Sequence, residues 1–135
     1  MPRRTSQSRC LSRHLLRWFL VGYAIIVLFL SLYPDPRGLI PVAWRLSDAI
    51  LHFACYLLLG VLLALALPRT TSGHLLQVWL TALAAVAVGA LYGMAIEIGQ
   101  AFTGRSPELR DAVANIVGVA VGGLGTTALR LIRIA

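Results

Sequence analysis

Apolar residues fall in four long runs separated by short polar breaks. The first extends from Leu15 to Tyr33 with Arg17 near its start, and the second from Ala49 to Leu67 with His52 its only ionisable group apart from the Cys55 thiol. The third, Leu75 to Phe102, carries Glu97 and Gln100 near its end; the fourth, Ala112 to Leu129, carries Asn115. A hydrocarbon core of about 30 Å takes roughly 20 helical residues, so every run is long enough to span one. The third exceeds that length, which puts Glu97 and Gln100 at the headgroup level rather than the midplane. The expected helices are about 15–33, 49–67, 75–99 and 112–130, preceded by a basic tail over 1–14.

The breaks carry turn chemistry. Pro34-Asp35-Pro36-Arg37-Gly38 is one cluster, Pro68 to Gly73 a second, and Thr103-Gly104-Arg105-Ser106-Pro107 the third. Trp18, Tyr33, Trp44 and Trp79 lie near span ends, where amphipathic rings favour the interface. The chain reads as one all-α domain, residues 1–135, an integral membrane bundle of four transmembrane helices.

Composition supports this and narrows the function. Hydrophobic residues make up 59% and charged residues 13%, with mean hydropathy +0.81. A soluble domain carries about 25% charged residues, so a soluble enzyme and a disordered tail are both excluded. The net charge of +7 comes from twelve basic residues, all arginine, against five acids. On a soluble chain that balance would suggest nucleic acid; here it orients the chain. With the N-terminus cytoplasmic, the five arginines from Arg3 to Arg17 share that side with Arg69, Arg130 and Arg133. Arg37, Arg45, Arg105 and Arg110 fall on the other side with all five acids. The positive-inside rule therefore favours both termini in the cytoplasm. The first run ends in Ser31-Leu32-Tyr33-Pro34 without a small-x-small site, so it reads as a topology signal rather than a cleaved signal peptide. Cys10 and Cys55 give no disulfide framework, CxxC or zinc spacing, and no cofactor is expected.

The scarce polar residues gather at one level. Asp48 and His52 open the second helix one turn apart, with Tyr56 at the next step. Glu97 and Gln100 close the third helix; Arg105, Glu108, Arg110 and Asp111 occupy the loop, and Asn115 lies one turn into the fourth helix. At about 100° per residue, Asp111, Asn115, Gly118, Gly122 and Gly125 share a narrow stripe, and Gly89 and Gly93 approach the face of Glu97. Small residues at this spacing admit close backbone approach, so the third and fourth helices are expected to pack there. Singly, these residues have ordinary readings: Asn115 as an interhelical bond, Asp48–His52 as a local cap pair, the arginines on lipid phosphate, Tyr56 and Cys55 as structure. Their joint occurrence at one depth outweighs these, because intramembrane ionisable groups are costly and usually functional.

The segment Asp48-Ala-Ile-Leu-His52-Phe-Ala-Cys-Tyr56-Leu-Leu-Leu-Gly60 resembles the D-x-x-x-H-F-x-x-Y-x-x-L-G stretch of VanZ-like membrane proteins. Glu97-Ile-Gly-Gln100-Ala-Phe102, Gly104-Arg105, Asp111, Asn115 and Gly118 resemble that family's E-x-x-Q-x-F…G-R-x(5)-D-x-x-x-N-x-x-G pattern. The likeness covers about residues 46–123, with both halves in order and correctly spaced. It departs at Ala49, where members often carry Lys, so a cation there would have to come from Arg45. The resemblance implies a bacterial cytoplasmic-membrane protein of a family named for low-level teicoplanin resistance.

Two functions of different class follow. The first is binding of an envelope ligand at an outer-face site of Asp48, His52, Glu97, Gln100, Arg105, Asp111 and Asn115. Membrane lipids, a lipid-linked wall precursor or a glycopeptide are the expected partners, and nucleic acid is not. The second is a membrane enzyme modifying a headgroup, with His52 oriented by Asp48 as general base and Glu97 or Asp111 as a second acid–base group. The same Asp, His and Glu set could bind a divalent metal, but there is no HExxH-type spacing and no obvious Ser or Cys nucleophile at that depth. A small transporter ranks below both, because four short helices leave little room for a pore.

Overall fold

The computed structural model describes residues 4–34, 46–67 and 75–132, and the side chains among them from Leu11 onward apart from Ser12. Its elements are α1 (Arg4–Leu32), α2 (Asp48–Ala66), α3 (Leu75–Gln100) and α4 (Leu109–Ile132), with no strand among the described residues. All four are long and apolar enough to cross a membrane, α1 over Arg13–Leu32. The cluster after Pro34, the Pro68–Gly73 cluster, Trp44 and Arg3, Arg37, Arg45, Arg69 and Arg133 lie outside the described residues.

The first helix begins earlier than the expected position of about 15, at Arg4, although its span-length apolar part starts only at Arg13. No glycine or proline interrupts the chain between Pro2 and Gly22, so once the apolar run is helical nothing stops the backbone upstream. α4 also begins earlier than its apolar run, at Leu109 rather than about 112. The backbone N–H groups of Asp111 and Ala112 donate to the Glu108 carbonyl, so the polar residues after Pro107 form its first turn.

α2 and α4 run parallel and make the tightest contact in the bundle. A Cβ added at Gly118 would lie 2.5 Å from the Phe53 carbonyl oxygen, and one at Gly122 would lie 2.1 Å from that of Leu57. From the other side, Gly60 faces the Val119 carbonyl oxygen at 2.4 Å from its would-be Cβ. Backbone meets backbone here, a geometry suited to Cα–H···O contacts. The glycine stripe of α4 thus packs mainly on α2, not on α3 as its spacing suggested. α3 reaches the pair through Gly89, which faces the Val119 and Leu63 side chains, and Gly93, which faces Tyr56 and Asn115. Gly125 leaves the stripe altogether and is exposed, with no neighbour within 4 Å.

Val27, Tyr56, Leu59, Ile96 and Val119 form the buried core. α1 is tied to it by two tyrosines whose hydroxyls need partners in an apolar setting: Tyr23 donates to the Cys55 carbonyl at 2.9 Å, and Tyr92 to that of Ala24. Leu80, Leu83, Val88 and Leu91 of α3, and Trp18 and Phe19 of α1, face away from the bundle, as lipid-facing side chains would. The chain direction brings the C-termini of α1 and α3 and the N-termini of α2 and α4 to the same end.

Candidate functional site

That shared end collects the polar groups. Asp48 lies in the first turn of α2 and Asp111 in the first turn of α4, where the helix dipole favours a carboxylate. One turn further on, His52 and Asn115 face each other. Glu97 and Gln100 occupy the last turn of α3 and are buried inside the bundle. Glu97 faces α2 and α4, whereas Gln100 turns toward α1.

An inner chain of contacts joins three helices. Asn115 Nδ2 donates to Glu97 Oε1 at 3.3 Å, which leaves Asn115 Oδ1 as acceptor for His52 Nδ1 at 2.9 Å. In this arrangement the Nδ1 of His52 carries a proton. The Nε2 of the same ring faces Asp111 Oδ2 at 3.8 Å, and Nδ1 is 3.7 Å from Glu97 Oε1. The imidazole therefore stands between two carboxylates, each contacting a different ring nitrogen. His52, Glu97, Asp111 and Asn115 are each at most 9% exposed.

The inner chain is incomplete. Glu97 Oε2, Asp111 Oδ1 and the Tyr56 hydroxyl are buried without a hydrogen-bond partner. The Ser47 hydroxyl, at the N-cap of α2, is likewise buried without one. Leaving such a group unpaired costs about 1–3 kcal/mol, so four together are a feature of the site rather than an accident of packing.

A rim lies one turn above. Gly104 takes the left-handed conformation, φ +80, and the Arg105 N–H returns to the Gln100 carbonyl, a glycine-terminated helix end of Schellman type. This turn folds Arg105 back over the bundle. Its NH1 donates to the Ser31 carbonyl at 2.8 Å and its NH2 is 3.9 Å from Asp48 Oδ2. Gln100 Nε2 donates to the same Ser31 carbonyl at 3.0 Å. Ser31 is in the last turn of α1, whose carbonyls have no partner within the helix and whose dipole attracts a cation.

All seven predicted residues meet at this end: His52, Glu97, Asp111 and Asn115 inside, Asp48, Gln100 and Arg105 at the rim. Glu108 and Arg110 carry exposed side chains, although the Glu108 backbone approaches the Glu97 carboxylate. Sequence reasoning missed the Ser31 carbonyl, because a backbone acceptor leaves no mark in residue type. Tyr56, read from the sequence as structural, lies in the buried core, with its hydroxyl unpartnered. Among the described residues, no group of three His, Cys, Asp or Glu converges as metal ligands do; the carboxylates approach the ring from different sides.

No curated protein and no solved structure matches the chain. A family model described as VanZ/LLP1 matches residues 18–130, reaching into all four helices and taking in every residue of the inner chain and rim. By that match the chain belongs to the VanZ/LLP1 family.

Proposed function

We propose that the polar end of the bundle is a binding site for an envelope ligand, open to the outer face of the bacterial cytoplasmic membrane, with both termini cytoplasmic. The ligand is a lipid headgroup, a lipid-linked wall precursor or a glycopeptide, and glycopeptide resistance is the phenotype the last would give. The observation that carries this reading is the incomplete inner chain: Glu97 Oε2 and Asp111 Oδ1 are buried acceptors without a donor. A cluster serving only to hold helices together gains nothing from orphaned acceptors; a ligand bearing N–H or O–H groups would complete them. Arg105 adds the rim contact. Its guanidinium has five donors, and the Ser31 carbonyl and Asp48 leave some of them for a phosphate or carboxylate.

The test expresses wild type, Arg105→Ala and Glu97→Gln in bacteria, then measures teicoplanin susceptibility, surface binding of labelled glycopeptide and co-purified envelope lipids. Wild type alone should shift one of these. Identical readings for all three strains and the empty vector would remove the binding reading.

A second reading rests on the His52 geometry. With Nδ1 held by Asn115 and Nε2 facing Asp111, the ring is oriented as a general base needs to be, and a headgroup reaction would use it. Lipid profiles of cells carrying wild type or His52→Ala decide this: a modified headgroup seen only with wild type supports an enzyme, and matching profiles remove it.

A further inference from the structure

We infer that the inner cluster recognises a primary ammonium group, carried on an aminophospholipid headgroup. The inference rests on the binding-site reading above and names its ligand chemistry. Three lines of observation converge on it.

The first is charge. The inner cluster holds two carboxylates, Glu97 and Asp111, against one imidazole. Arg105 acts on Asp111, but it lies at the rim beside a third carboxylate, Asp48, which offsets its charge. With both inner carboxylates ionised, and even with His52 counted as a cation, the buried end is short of one positive charge. Uncompensated charge is expensive in low dielectric, and a cationic ligand supplies what is missing.

The second is hydrogen bonding. The orphaned carboxylate oxygens accept only, so the ligand must donate as well as carry charge. A hydroxyl donates without charge, and a quaternary ammonium carries charge without donating. A metal ion has no converging ligand set among the described residues. A primary ammonium satisfies both demands with three N–H groups. The Tyr56 hydroxyl, buried at 1% exposure and unpartnered, lies within the same core. Helical side chains lean toward their helix N-terminus, and the N-terminus of α2 is the site end.

The third is length. Asp48 stands about one helical turn, ~5.4 Å, above His52, and Arg105 NH2 is 3.9 Å from the Asp48 Oδ2. The two-carbon spacer of phosphoethanolamine is of that order, so an ammonium beside Glu97 and Asp111 leaves the phosphate near Arg105 and the unpartnered Ser47 hydroxyl. Asp48 offsets part of the Arg105 charge, which makes the ammonium rather than the phosphate the anchor.

The experiment uses the full chain in nanodiscs of phosphatidylglycerol doped with phosphatidylethanolamine or phosphatidylcholine, with bound lipids read by native mass spectrometry. Phosphatidylethanolamine should be retained about tenfold over either other lipid. Glu97→Gln and Asp111→Asn should lose that preference, whereas Thr81→Ala, far from the site, should keep it. The wild-type preference alone is decisive if a variant fails to fold. Equal retention of all three lipids, with binding still dependent on the site residues, overturns the ammonium inference and leaves the binding site standing. No retained lipid with any variant, and none displaced by free phosphoethanolamine, removes the site as well. Displacement of bound lipid by free phosphoethanolamine, but not by phosphocholine, supports recognition of the ammonium itself.

Discussion

His52 of α2 and Asn115 of α4 are joined side chain to side chain at 2.9 Å, across 63 positions of sequence. The same Asn115 passes its amide on to Glu97 of α3, so one small side chain holds three helices in relation. Removing it orphans two buried partners at once. Asn115→Ala is expected to cost about 2–4 kcal/mol of stability, read as a fall in the midpoint of thermal unfolding in detergent. In a double-mutant cycle with His52→Ala, the two losses should be non-additive by roughly 1–3 kcal/mol. Additive losses would mean that the two side chains act independently.

The glycines of α4 are not equivalent. Gly118→Ala and Gly122→Ala place a methyl against backbone carbonyl oxygens of α2, which cannot swing aside. Each should destabilise by about 1–3 kcal/mol or more. Gly125→Ala meets nothing within 4 Å and should be neutral or stabilising by up to ~1 kcal/mol through helix propensity. Melting curves of the three variants in one detergent give the ranking.

Gly104 and Arg105 shape the rim together. Gly104→Ala forces a Cβ into the left-handed region and is expected to cost about 1 kcal/mol. Arg105→Ala leaves the Ser31 carbonyl to Gln100 alone and so loosens the loop from the end of α1. Both variants should raise the rate of proteolytic cleavage within residues 101–108, while Arg110→Ala, an exposed side chain, should not.

Arg130 performs the analogous task at the opposite end. Its NH1 donates to the Ala64 carbonyl at 2.6 Å, with Leu65 near NH2, so it caps the C-terminus of α2 from α4. Arg130→Gln should destabilise by about 1–2 kcal/mol, read as a lower unfolding midpoint, yet leave lipid retention by the distant polar end unchanged. A parallel loss of lipid retention would show that the two ends are coupled.

Four helices long and apolar enough to cross a membrane were legible because apolar run length is a direct statement about bilayer thickness. The meeting of His52, Glu97, Asp111 and Asn115 was also legible, since alternating helix direction brings those ends together and ionisable groups cannot face lipid. What periodicity withholds is the partner. A stripe of glycines marks a face of α4 but not whether α2 or α3 lies against it, and Gly125 had the right angle with no helix beside it. The early start of α1 was hidden because run length tracks hydropathy, whereas the helix continues through Arg and Ser residues that have adequate propensity. The rim contact of Arg105 depended on a backbone oxygen and a left-handed glycine, neither of which has a position in a hydropathy pattern.

The parallel backbone contact of α2 and α4 acts as a ruler for the polar end. Gly118 and Gly122 seat against α2 at about the same 63-residue offset that brings Asn115 to His52, so the seat and the site share one register. A residue inserted between Asn115 and Gly118 would turn the site about 100° away from its seat, whereas a residue added in the connection before α3 would leave both aligned. Length variation is therefore tolerable in the connection before α3 and not within this stretch of α4, whatever the chemistry at the polar end.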